Sequence, residues 1–186
     1  MEADPASPSD LKQRARAAYE RGRVRHALVA ALPCVAIAAI AGLIDREWSL
    51  ALSVGALLFS AAFLAYFRGR HFGRAVLPGV AAGVIPFLAI HVARASGHLC
   101  TGTSCISLCI PACVVSGVVA GLLIARVSRR SGAPLGSWAA GGVIAALTGA
   151  LGCACIGVLG VVGLVVGIVV GSAPLVLRPA MARGGS

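Results

Sequence analysis

Six of the seven cysteines fall into two groups, Cys100/Cys105/Cys109/Cys113 and Cys153/Cys155, and a histidine, His98, stands two residues before the first. Thiols and an imidazole at this density admit three chemistries. Paired thiols in an oxidising compartment form disulfides, and exposed thiolates react with oxidants. Converging thiolates and imidazole hold a soft ion such as zinc or copper. Cys100, Cys105, Cys153 and Cys155 form the redox or disulfide set. Alternate side chains diverge on an extended turn, so a bridge from Cys153 or Cys155 to the Cys100/Cys105 loop is favoured over one between the two.

The candidate metal ligands are His98, Cys100, Cys105, Cys109 and Cys113. Their spacing lacks the paired Cys-x-x-Cys regularity of a structural zinc site. On a helix, Cys105, Cys109 and Cys113 would share one face, drifting about 40° per step. Pro111 would remove a backbone hydrogen bond between the last two and kink the helix. Cysteine also serves as a small apolar residue at helix interfaces, a role that suits Cys34 and Cys113.

The elements that position these groups follow from composition. Hydrophobic residues make up 59% of the 186-residue chain and charged residues only 12%, and the mean hydropathy is +0.94. Too little polar surface remains to cover a water-soluble globule, so the expectation is an all-α membrane protein. Runs long enough to cross the hydrocarbon core, about 20 residues each, lie at Ala27 to Ile44, Trp48 to Phe67, Ala75 to Ala93, Cys105 to Ala125, Trp138 to Gly152 and Ile156 to Leu177. The fifth is short and glycine-rich. Residues 1–26 form a basic N-terminal segment, 27–177 the six-span bundle and 178–186 a tail.

Arginine orients the bundle. With the N-terminus cytoplasmic, Lys12, Arg14, Arg16, Arg21, Arg23, Arg25, Arg68, Arg70, Arg74, Arg126, Arg129, Arg130, Arg178 and Arg183 lie inside. Of the 16 basic residues only Arg46 and Arg94 then face out. Both termini are cytoplasmic in this reading, the thiol groups and His98 sit at the outer face, and the membrane is a bacterial inner membrane. The charged region is too long, and the first apolar run too able to span, for a cleaved signal peptide. The net charge of +10 is distributed beside span ends, as topology and anionic lipid require, so no direct contact with nucleic acid is expected.

Ser9 to Arg25 reads as a short amphipathic helix with Leu11, Ala15, Ala18 and Tyr19 on one side and basic residues on the other. Leu11, Arg14 and Tyr19 are its candidate partner contacts. Rows of glycine at four-residue spacing, Gly163/Gly167/Gly171, Gly117/Gly121 and Gly79/Gly83, allow close helix approach within the bundle or between copies of the chain. No span carries Asp, Glu, Lys or Arg away from its ends, and no nucleophile triad, metalloprotease motif or phosphate loop occurs. Catalysis is not expected.

Six spans, the segment Asp10-Leu11-Lys12-Gln13-Arg14, the loop Arg129-Arg130-Ser131-Gly132-Ala133-Pro134, a cysteine after the fifth span (Cys153) and Pro174 in the last span resemble the multi-spanning bacterial anti-sigma factors of the NrsF and CarR type. The resemblance lies in layout over most of the chain. It implies an inner-membrane regulator that holds a cytoplasmic sigma factor and releases it on stress, with outward cysteines in sensing. The fourfold run Cys100 to Cys113 exceeds the one or two cysteines of that pattern. The alternative function is a membrane transporter or binding protein for a soft metal ion, captured by His98 and Cys100 and passed along Cys105, Cys109 and Cys113.

Overall fold

In lipid the backbone must satisfy its own polar groups, and for an apolar run the local solution is the α-helix. The computed structural model describes residues 8–46, 48–95, 104–130, 135–153 and 158–183, with side-chain surroundings for all of these but 8, 70–71, 93–95, 104–109, 153 and 176–183. The described elements are six helices: α1 (Pro8–Asp45), α2 (Trp48–Arg68), α3 (Arg70–Ala95), α4 (Ser104–Arg130), α5 (Leu135–Cys153) and α6 (Val158–Arg183). Each is long and apolar enough to cross a membrane.

Differences from the expected boundaries are informative. The basic segment is not a separate short helix, because α1 runs unbroken from Pro8 through the first span. The helix likewise continues through Pro33 in α1 and Pro111 in α4. Cys153 ends α5 instead of beginning the turn, and α4 and α6 extend past Ala125 and Leu177 to their terminal arginines. The short fifth span forms fully, and half of its apolar window is buried, the largest share of any span. Its glycines and alanines admit neighbours on several sides.

The links are short. Arg46, at φ 58°, closes α1 with its N–H donated to the Gly42 carbonyl at 3.0 Å, a left-handed helix stop. Gly69, at φ 130°, turns the chain between α2 and α3 in a conformation that glycine adopts without strain.

Close approaches fix the directions. Gly42 lies against Trp48 and Gly55 against Ala38, so α1 and α2 form an antiparallel hairpin. Gly79 packs on Gly141, Gly83 on Ala145 and Gly152 on Phe87 in ascending order, which makes α3 and α5 parallel. Ile110 lies by Gly163, Val114 by Gly167 and Val118 by Gly171, so α4 and α6 are parallel too. The Gly117/Gly121 row therefore meets the Gly163/Gly167/Gly171 row within one chain, and the Gly79/Gly83 row meets α5.

The α4/α6 crossing has a local two-fold. Val114–Gly167 has its counterpart in Gly117–Leu164, and Val118–Gly171 in Gly121–Ile168. The same offset aligns the sequence: Gly102 with Gly152, Cys105 with Cys155, Ile106 with Ile156, Val115 with Val165, Gly117 with Gly167, Val119 with Val169 and Gly121 with Gly171. The two segments are copies of one pattern.

Small residues form the interior. Ala27, Ala31, Ala62, Ala120 and Ala145 are fully buried, whereas Leu43, Leu77, Leu135 and Val158 are mostly exposed. That inversion suits a bundle packed by close backbone approach with large apolar side chains turned to acyl chains. Two clusters result, one around Cys34, Leu58 and Ala62 in the α1/α2 half, the other around Cys113, Ile124 and Leu164 between α3, α4, α5 and α6. Buried hydroxyls bond to their own helix: Thr148 donates to the Ile144 carbonyl at 2.8 Å and Ser172 to that of Ile168 at 2.8 Å. Such back-bonding removes an unpaired polar group from lipid.

Candidate functional site

The helix ends that carry Cys105, Cys109 and Cys153 belong to one end of the bundle. α5 ends at Cys153 immediately after Gly152, which packs on Phe87 of α3. α4 begins at Ser104 with Cys105 and Cys109 in its first turns, and its Ile110 lies beside Gly163 near the start of α6. The register thus gathers the first turns of α4, the last turn of α5 and the first turns of α6. The backbone of Cys105, Cys109 and Cys153 is helical, while their side-chain surroundings, and all of His98, Cys100 and Cys155, lie outside the described residues. Among the described residues no three His, Cys, Asp or Glu side chains converge as metal ligands.

Cys113 is different in kind. Its side chain is fully buried in a cluster with Ala82 and Ile90 of α3, Ala145 of α5 and Leu164 of α6. Ser116, one turn on, donates its hydroxyl to the Cys113 carbonyl at 3.1 Å. Cys34 is buried in the other cluster, next to α2. Both thiols sit where a small apolar side chain packs well.

His91 is the described imidazole nearest the thiol end. It stands one turn beyond Phe87 on α3, with ring centroids 4.5 Å apart and planes at 75°. Its Nε2 is sealed from the surface and has no hydrogen-bond partner among the described residues. Phe87 also receives Gly152, so His91 and Cys153 flank the same α3/α5 contact on neighbouring helices.

The opposite end carries the basic extension of α1. Leu11 is 58% and Tyr19 70% exposed, and Arg14 is exposed beside them. Apolar groups left this open on a projecting helix can serve as contacts for a partner or for the lipid surface. The Arg16–Glu20 pair at 3.3 Å is exposed on both sides and contributes about 0 to 1 kcal/mol to the helix.

Reading the thiols as one loop cluster plus one turn missed their relation. Gly102-Thr-Ser-Cys105-Ile106 and Gly152-Cys-Ala-Cys155-Ile156 share a sequence pattern, each preceding a Gly-x-x-x-Gly row. The constant offset was the available signal. It makes Cys105 and Cys155 equivalent positions, with Cys153 and Cys109 particular to one copy each. Comparison with protein families, with characterised proteins and with solved structures gives no match to this chain.

Proposed function

We propose that this chain is a regulatory sensor in a bacterial inner membrane, in which thiols at the outer end respond to an oxidant or a soft metal ion and the N-terminal helix at the inner end holds a cytoplasmic partner. The layout it shares with multi-spanning anti-sigma factors makes a sigma factor the partner class. The observation that carries the reading is α1, a single helix from the exposed Leu11, Arg14 and Tyr19 to Asp45 at the thiol end. A displacement at one end of a continuous helix reaches the other. The arginine distribution supports a cytoplasmic N-terminus.

In the redox form of this reading, two thiols among Cys100, Cys105, Cys153 and Cys155 give up two protons and two electrons to form one disulfide. With hydrogen peroxide as oxidant the products are the disulfide and two waters. A bridge from Cys153 or Cys155 to Cys100 or Cys105 would draw the start of α4 towards the link between α5 and α6. Glycine-lined contacts leave these helices little room to adjust individually, so the parallel pairs shift as units against α1 and α2.

Transport of a soft metal ion along Cys105, Cys109 and Cys113 is the competing reading. Cys113 itself is packed among Ala82, Ile90 and Leu164, a place that suits a small apolar side chain. Pull-down of cytoplasmic proteins through the intact chain, before and after peroxide, separates the two. The sensor reading expects a partner lost on oxidation and retained when Cys100, Cys105, Cys153 and Cys155 are all serine. A partner that is never recovered, with metal uptake abolished by Cys113→Ser, would establish the transporter instead.

A further inference from the structure

At the end of the bundle away from the thiols, α1, α2 and α3 enclose an open cleft of about 280 Å³ lined by His26, Tyr66, Gly69, Gly73 and Arg74. Each wall has a local cause. The turn at Gly69 starts α3 directly beside the last turn of α2. Gly73 then lets the Tyr66 ring lie against the α3 backbone, since a β-carbon at that position would be 2.9 Å from the ring. His26 meets the same ring edge-on from α1, with centroids 6.3 Å apart and planes at 84°. Arg23, a turn earlier on α1, covers Phe67 at 4.6 Å from its centroid, so a second guanidinium stands beside the cleft.

Three donor-bearing side chains, a guanidinium, an imidazole and a phenol, therefore share one cleft, and among the described residues no carboxylate lines it. Glu20 is engaged by Arg16 on the extension of α1, and Asp45 belongs to the far end of the same helix. A guanidinium with further hydrogen-bond donors around it suits a tetrahedral oxyanion, which can accept from all three. The cleft also lies where the apolar run of α1 begins, at Ala27, and where α2 ends in Tyr66, Phe67 and Arg68. Aromatic rings and arginines at span ends mark the headgroup level, where basic pockets between helices take anionic lipid phosphates.

We propose that this cleft binds a phosphate group, with Arg74 as the ionic partner, and His26 and Tyr66 as hydrogen-bond donors, and that its source is the phosphodiester of an anionic phospholipid. This site is independent of the thiol reading. It would tie α1 to α2 and α3 at the point where the basic extension leaves the membrane.

The test uses the full-length protein in a neutral detergent, with lipid retention read by native mass spectrometry. Phosphatidylglycerol should be retained over phosphatidylcholine, and Arg74→Gln and His26→Gln should each weaken that retention, Arg74→Gln by about fivefold or more. Arg46→Gln, at the opposite end, should leave it unchanged. Unaltered elution and melting of the variants show that the fold is intact. Displacement of the lipid by millimolar inorganic phosphate would assign the site to a free phosphate, and resistance to it would assign the lipid. Equal retention of both lipids, or an Arg46→Gln effect as large as that of Arg74→Gln, would overturn the proposal.

Discussion

Gly117 of α4 and Gly167 of α6 meet backbone to backbone: a β-carbon on Gly117 would lie 3.2 Å from the Gly167 Cα, and one on Gly167 would lie 3.0 Å from the Gly117 Cα. The contact sits on the local two-fold that relates the two helices. It holds the ends that carry the thiols in one register, because the neighbouring contacts Val114–Gly167 and Gly117–Leu164 repeat on both sides of it.

A single methyl group should therefore be costly here and harmless at an open position such as Gly22. Gly117→Ala or Gly167→Ala is expected to destabilise the bundle by about 1 to 3 kcal/mol, the usual range for overpacking, despite alanine's better helix propensity. Gly22→Ala, where no atom lies within 4 Å of the added carbon, should be neutral or stabilising by up to about 1 kcal/mol. Denaturant or thermal unfolding of the three variants in detergent measures the difference. Equal stability of Gly117→Ala and Gly22→Ala would remove the crossing as a structural keystone.

The buried thiols give a second prediction. Cys34 and Cys113 are 1% and 0% exposed, so a maleimide should fail to label them in the folded protein and label both after denaturation. Substituting either by alanine should alter stability and leave the response to peroxide or metal in place. Loss of the response in a stable Cys113→Ala variant would move that residue into the functional set and revive a path along α4.

Much of this architecture was legible in the chain, and for identifiable reasons. Six apolar runs bounded by arginine or aromatic residues declare six helices, because a span must be long, apolar and flanked by interface groups. What did not show was continuity. Ser9 to Arg25 reads as a separate helix, since its polarity changes at His26, yet backbone hydrogen bonding carries on across that boundary and α1 becomes one rod. Helix partners were equally hidden. Gly79/Gly83 and Gly117/Gly121 announce close approach without saying to what, and the choice of α5 and α6 is a tertiary outcome. The cleft at His26, Tyr66 and Arg74 joins three helices, so no local pattern could have revealed it.

Sidedness is a third prediction. The register puts Cys153 at one end of the bundle and Leu11 and Arg129 at the other. Single-cysteine variants should accordingly label from opposite sides in intact and inverted vesicles, with residues 11 and 129 sharing a side. An impermeant maleimide that reaches residue 11 and Cys153 from the same side would contradict the parallel pairing of α3 with α5 and the antiparallel hairpin of α1 with α2.

The last prediction tests the proposed sensor reading, in which a change at one end is passed to the other. If α1 acts as a rod between the thiol end and the projecting Leu11, Arg14 and Tyr19, a break outside the bundle should uncouple them without disturbing the spans. Gly22 is suited to this, being in open surroundings and ahead of the first buried residue of α1, Ala27. Proline at that position removes a helical hydrogen bond and clashes with the preceding turn, at about 3 kcal/mol. Gly22→Pro should leave melting of the membrane bundle within error of the parent. It should also keep thiol oxidation, read by a gel shift, while partner release no longer follows oxidation. Leu11→Ala with Tyr19→Ala should instead lower partner affinity in both redox states, since the contacts are lost and the rod is not. A Gly22→Pro variant that still releases its partner on oxidation would show that the signal leaves the bundle by the α2/α3 or α4/α5 link, and α1 would then be an anchor only.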